Sequence, residues 1–161
     1  MWKLLLAIAL LIGFSTPCRG GTRQDIICLA KNIYFEASNQ SYIGQQAVAW
    51  VTLNRVRSGN YPNTICGVVF QYKQFSWTID GKHRNPRSIK KFSVALAAAI
   101  NVYNNYGRVK DPTKGATMYH TVYIVPYWHY DYKPTVIIGS HFLKVITQYL
   151  FSYENHPDHS T

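Results

Sequence analysis

Between Gln24 and Ala37 the apolar residues Ile26, Leu29, Ala30, Ile33 and Ala37 recur at i, i+3, i+4, i+7 and i+11, which is one face of an α-helix. Ser38-Asn39-Gln40-Ser41 then breaks the periodicity. The next run, Tyr42 to Arg57 (YIGQQAVAWVTLNRVR), is apolar nearly all round and predicts a second helix at the centre of the domain. Ser58 to Asn63 (SGNYPN) reads as a loop, and Thr64 as the N-cap of a short helix through Phe70. Residues 71–87 hold no sustained period and read as a long surface loop, the kind of segment that tends to carry function. A further helix over Ser88–Tyr106 places Phe92, Leu96, Ala99, Ile100 and Tyr103 on one face, and Asn104, Asn105 and Gly107 end it.

After Pro112 the character changes. Met118–Val125 is rich in β-branched and aromatic residues that alternate in polarity, so it predicts a strand, with a second strand over Thr135–Ile138. Pro126, Asp131 and Pro134 between them suit the loop of a small β-hairpin. The tail from Glu154 reads as frayed. The expected fold class is therefore α+β, mainly helical, in one domain over residues 21–161.

The first 20 residues stand apart. Lys3 is a short positive start, Leu4–Phe14 is an apolar run too short for a membrane-spanning helix, and Ser15, Thr16, Pro17 and Gly20 supply the small and turn residues of a cleavage site. They read as a secretory signal peptide; the alternative is a retained anchor. Export would put Cys28 and Cys66 in an oxidising compartment, where such a pair reads as a disulfide, the alternative being two buried thiols. Neither belongs to a CxxC pair and the histidines show no ligand spacing, so no metal or other cofactor is expected.

A hydrophobic content of 47% excludes a disordered chain, and 17 Lys+Arg against 7 Asp+Glu, net +10, draw it to polyanions: nucleic acid, anionic lipid or an anionic wall polymer. Acids are scarce, and only two are glutamates, Glu36 and Glu154. Glu36 lies about 80° from the centre of the first helix's apolar face, at the rim of the core. Two readings stay open there: a desolvated carboxyl with a raised pKa, fit to protonate a leaving group, or a carboxylate salt-bridged to Arg55 or Lys31. A second carboxylate for glycosidic chemistry has one uncertain candidate, Asp80, in a loop whose Asp-Gly is also an ordinary turn. Phe75 and Trp77, and a second group from Tyr119 to Tyr132, offer rings that stack on sugars or bases, or fill a core.

The stretches CLAKNIYFEA and GQQAVAWVTLNRVRSGNYPNTICGVVFQYKQFSW, resumed at GATMYHTVYIVPYW, closely resemble the cell wall hydrolases related to the spore-cortex-lytic enzyme SleB. The resemblance implies a lysozyme-like fold and a lytic transglycosylase acting on peptidoglycan glycan strands. Glu36 would be the one essential acid, with Gln74, Phe75, Ser76 and Trp77 (QFSW) and Tyr119 and His120 along the substrate groove. The substrate's own C6 hydroxyl would then replace the missing second carboxylate. It further implies a monomer at the cell wall, secreted or periplasmic, with no nucleic-acid partner and membrane contact only through the signal segment; a phage endolysin fits the small size and charge. Cys28 and Cys66 match positions where some members carry cysteine. Two departures stand out: Ser38-Asn39-Gln40 where many members read Arg-Gly-Glu, and Ile79 where some carry cysteine. A two-carboxylate muramidase and a non-catalytic cationic wall- or nucleic-acid-binding module are the alternatives.

Overall fold

The computed structural model describes residues 21–79, 85–121 and 136–144. Among the described residues four helices form the bulk: α1 (Gly21–Ala37), α2 (Tyr42–Ser58), α3 (Ile65–Val69) and α4 (Ile89–Asn105), with a 3₁₀ turn at Ser76–Thr78. The starts of α2, α3 and α4 follow from a hydroxyl that satisfies an orphan backbone N–H. Ser41 accepts from Gly44 N, Thr64 from Gly67 N and Ser88 from Lys91 N. Gly67 is required by space, because a Cβ there would lie 2.7 Å from Thr64 Oγ1 and 2.8 Å from Pro62.

Helix α2 is buried from Gly44 to Arg55 apart from Gln46, and packs against α1, α3 and α4. It is the central helix, as its all-round apolarity predicts. Leu29, Ala30 and Ile33 of α1 meet Val48, Ala49 and Leu53 of α2 and Ala95, Ala98, Ala99 and Val102 of α4 in the main core. The small alanines let the helix backbones approach closely. Cys28 and Cys66 are disulfide-bonded with Cα atoms 5.3 Å apart, tying α1 to α3, so the free-thiol alternative falls.

Among the described residues three short strands make an antiparallel sheet, β1 (Met118–Thr121), β2 (Val136–Ile138) and β3 (His141–Lys144), in the order β1-β3-β2. This corrects the expected hairpin. β1 and β2 are not neighbours; β3 lies between them and pairs with both, Tyr119 opposite Leu143 and Val136 opposite the same residue. The tight hairpin is β2–β3, turning at Gly139 with φ +57°, a left-handed conformation that suits glycine. Ile138 and Ala116 pack on Ala47 and Val51, which docks the sheet on α2. The predicted strand residues 122–125 and the predicted hairpin loop lie outside the described residues.

Candidate active site

Glu36 occupies the last turn of α1 and is half-buried, as its helix phase predicts. The Tyr119 hydroxyl donates to its Oε2 at 3.2 Å across a sequence separation of 83 residues. Burial raises the Glu36 pKa above the usual carboxylate value, while the Tyr119 hydrogen bond and the Arg55 charge oppose that rise. The Tyr119 ring is partly exposed but its hydroxyl is buried, and burial beside Glu36 lifts the phenol well above its ordinary range. Tyr119 is therefore a permanent donor. Holding Oε2 leaves Oε1 as the oxygen able to carry a transferable proton.

The salt-bridge alternative does not describe this carboxyl. Lys31 donates to Asn85, and Arg55 Nε donates to the Thr117 carbonyl at 2.6 Å. The Arg55 charge favours the ionised form of Glu36, against the effect of burial. The Arg55 guanidinium lies 5.3 Å from the Tyr61 ring centre and 5.5 Å from that of Phe75.

Tyr119 reaches Glu36 because the segment before β1 is pinned to α2. Asn54 Nδ2 donates to Asp111 Oδ2, Thr113 Oγ1 and the Ala116 carbonyl, and Asn54 Oδ1 accepts from Tyr106. Asp111 in turn accepts from the backbone N–H groups of Thr113 and Gly115 and from the Thr113 hydroxyl, folding the α4–β1 loop. Arg55 holds the next residue, Thr117. His141 on β3 backs Tyr119, edge to face at 5.4 Å; it is 1% exposed, and burial lowers its pKa, favouring the neutral ring. Neither Asn54 nor Asp111 is found by motif reading. The available signal is a polar Asn-Arg pair inside a helix that is otherwise apolar all round.

The QFSW segment divides. Gln74 is half-buried and Ser76 exposed. Phe75 and Trp77 are only 4% and 5% exposed, and both belong to the main core. Trp77 stacks on Phe35 with centroids 4.5 Å apart and meets Phe70 edge-on. Rings so covered have no face to offer a sugar, which corrects their expected place in the groove. His120 is also buried, at 8%. Asp80 lies outside the described residues. Among the described residues no group of three or more His, Cys, Asp or Glu is arranged to hold a metal ion.

The Cell Wall Hydrolase family model matches residues 39–143. The chain belongs to the cell wall hydrolase family. The spore cortex-lytic enzyme of Bacillus cereus is 37% identical over 108 residues, covering 66% of this chain and 38% of that protein. The spore cortex-lytic enzyme of Bacillus subtilis is 34% identical over 101 residues, 62% of this chain and 30% of that protein. This cell wall hydrolase thus spans less than two-fifths of the length of those relatives. Among solved structures it is similar to the catalytic domain of the Bacillus cereus SleB protein, with a TM-score of 0.64 and 31% identity over 79% of this chain and 94% of that one. The catalytic domain of the germination-specific lytic transglycosylase SleB from Bacillus anthracis gives a TM-score of 0.65 at 31% identity, covering 98% of that chain. The mainly helical α+β fold and the family resemblance both stand. The matched family span begins at Asn39, so the case for Glu36 rests on the geometry above.

Proposed function

We propose that this cell wall hydrolase is an exported peptidoglycan lytic transglycosylase in which Glu36 is the acid and then the base. The observation that carries this is a half-buried carboxyl, raised in pKa by desolvation and held at one oxygen by Tyr119, in a chain similar to two SleB catalytic domains. Protonated Glu36 gives its proton to the bridging oxygen as the glycosidic bond breaks. The C6 hydroxyl of the same muramic acid then attacks the anomeric carbon and returns its proton to Glu36. The products are a 1,6-anhydro end and a free hydroxyl on the leaving sugar, and no water is consumed. This sequence asks for one carboxyl, which is what the described residues supply near Tyr119. Gln74 and Ser76 are the QFSW residues with surface to offer sugar hydroxyls, and Tyr119 orients the acid. The basic charge favours anionic walls.

Glu36→Gln keeps the shape and removes the proton, so it abolishes cleavage, with a loss of at least about 10²–10⁴-fold. Retention of more than a small fraction of activity overturns the assignment. Mass spectrometry of digested peptidoglycan reads the reaction: 1,6-anhydromuramic ends support it, whereas reducing ends point to a plain hydrolase with a second carboxylate such as Asp80. A zymogram without clearing at any pH points instead to a non-catalytic wall-binding module.

A further inference from the structure

A cavity of about 590 Å³ opens between the C-terminal ends of α2 and α4 and the loop that leads to β1. That is within the size range in which proteins hold small ligands. Trp50, Asn54 and Arg57 line it from α2, at i, i+4 and i+7, which is one face of the helix. Tyr106 closes the α4 side; its ring lies 5.1 Å from that of Trp50 and its hydroxyl donates to Asn54. The loop turns at Gly107 and Gly115, with φ +77° and +81°, left-handed conformations that suit glycine.

The surroundings are positive. Loop residues 106–117 carry Arg108, Lys110 and Lys114 against one acid, Asp111, and Arg57 adds a fourth cation; all four cations are exposed. Asp111 is occupied within the loop, where it accepts from Thr113, Gly115 and Asn54. The Arg57 guanidinium thus shares one concave site with the half-buried Tyr106 ring and with Val109, which is 52% exposed. A guanidinium fork pairs with a carboxylate through two parallel hydrogen bonds. Tyr106 and Val109 offer surface to apolar groups beside that carboxylate, and the rim cations draw anions in. A short peptide that carries methyl groups and free carboxylates meets all three features.

We propose that this cavity is a second substrate subsite, which takes the carboxylate-bearing peptide stem of peptidoglycan while the glycan lies at Glu36. It presupposes the Glu36 chemistry given above and extends the substrate from a glycan to a peptide-bearing glycan. The two places are close. Thr117 lines the cavity, and Tyr119, two residues on, holds Glu36. About 7 Å of extended backbone, plus the length of the Tyr119 side chain, separates them. A stem of a few residues, extended at the same rise, spans that gap. The stem hangs from the muramic acid whose C6 hydroxyl attacks, so it starts at the reacting sugar. A phosphodiester wall polymer suits the cavity less well, because its evenly repeated charge matches an open ridge of cations and leaves Tyr106 and Val109 unused.

The full chain carrying Glu36→Gln is titrated with the free stem tetrapeptide and with the same peptide amidated at its carboxylates. The free acid shifts the magnetic resonance signals of the Tyr106 ring and the Val109 methyls, and the amide binds roughly tenfold or more weakly. Arg57→Ala weakens binding of the free acid by a similar factor. Arg57→Lys weakens it less, because lysine keeps the charge and loses the fork. In the cleaving enzyme, Arg57→Ala raises KM for intact peptidoglycan about tenfold with kcat unchanged, and leaves cleavage of glycan strands stripped of their stems by an amidase as it was. Peptide binding blind to Arg57, or a wild-type KM equal for intact and stripped strands, overturns the proposal. Binding of poly(glycerol phosphate) in place of the peptide overturns it too. Should Arg57→Ala not fold, the comparison of acid with amide on the unaltered cavity decides. A Glu36→Gln protein that still cleaves peptidoglycan overturns the functional reading instead, and leaves the peptide titration intact.

Discussion

Replacing Trp77 by alanine separates a core residue from a groove residue. The indole is 5% exposed, stacked on Phe35 at 4.5 Å with an interplanar angle of 24°, and edge-on to Phe70 at 5.8 Å. Burying a tryptophan removes about 150–250 Å² from water, worth roughly 4–6 kcal/mol at about 25 cal/mol per Å². Alanine keeps a small part of that and leaves a cavity, which brings the expected loss to about 3–5 kcal/mol. For a chain of this size each kcal/mol moves the melting temperature by about 2–4 °C, so Trp77→Ala melts roughly 6–20 °C lower. Trp77→Phe costs much less, because it keeps a ring against Phe35 and removes an indole N–H that is buried without a partner. Calorimetry, or circular dichroism against temperature, measures the shift. Turnover and sedimentation with peptidoglycan, well below the variant's melting temperature, measure the site. A melting temperature within about 3 °C of wild type, combined with a large loss of wall affinity, refutes the core assignment and returns Trp77 to the groove.

Reducing the Cys28–Cys66 bond, or replacing both residues by alanine, releases a link across a separation of 38 residues; chain entropy puts the loss at about 4 kcal/mol, read as a melting temperature about 8–16 °C lower with activity retained below it. Asn54→Ala orphans the Tyr106 hydroxyl and loosens the α4–β1 loop, at about 1–3 kcal/mol for each buried group left unpaired; urea unfolding measures it, and kcat falls as Tyr119 loses its register on Glu36. Glu36 titrates above its unfolded value of 4.5, so the stability its proton confers is complete below that value and lost as pH rises through the folded pKa. Glu36→Gln is accordingly more stable than wild type at alkaline pH, and the gap closes on descent to about pH 4; an equal melting temperature at all pH values contradicts the raised pKa.

Local rules carry the helices. The apolar period of Ile26, Leu29, Ala30 and Ile33, the capping hydroxyls of Thr64 and Ser88 and the breaker at Ser38–Ser41 are all legible in the chain, because each depends on residues within a few positions. Helix phase alone also sets Glu36 at the rim of the core, where its chemistry begins. What the chain leaves open are choices made across long separations. Whether Phe75 and Trp77 face a sugar or the core depends on where Phe35 and Arg55 lie, and neither is near in sequence. β3 gains its identity only by pairing with β1 and β2, so strand propensity joined the wrong neighbours. The acid's environment is non-local too: Arg55 meets Thr117 across 62 residues, and Tyr119 meets Glu36 across 83. Sequence periodicity places a carboxyl at a boundary; only tertiary packing determines which donor and which cation share that boundary, because desolvation and charge act over distance in space.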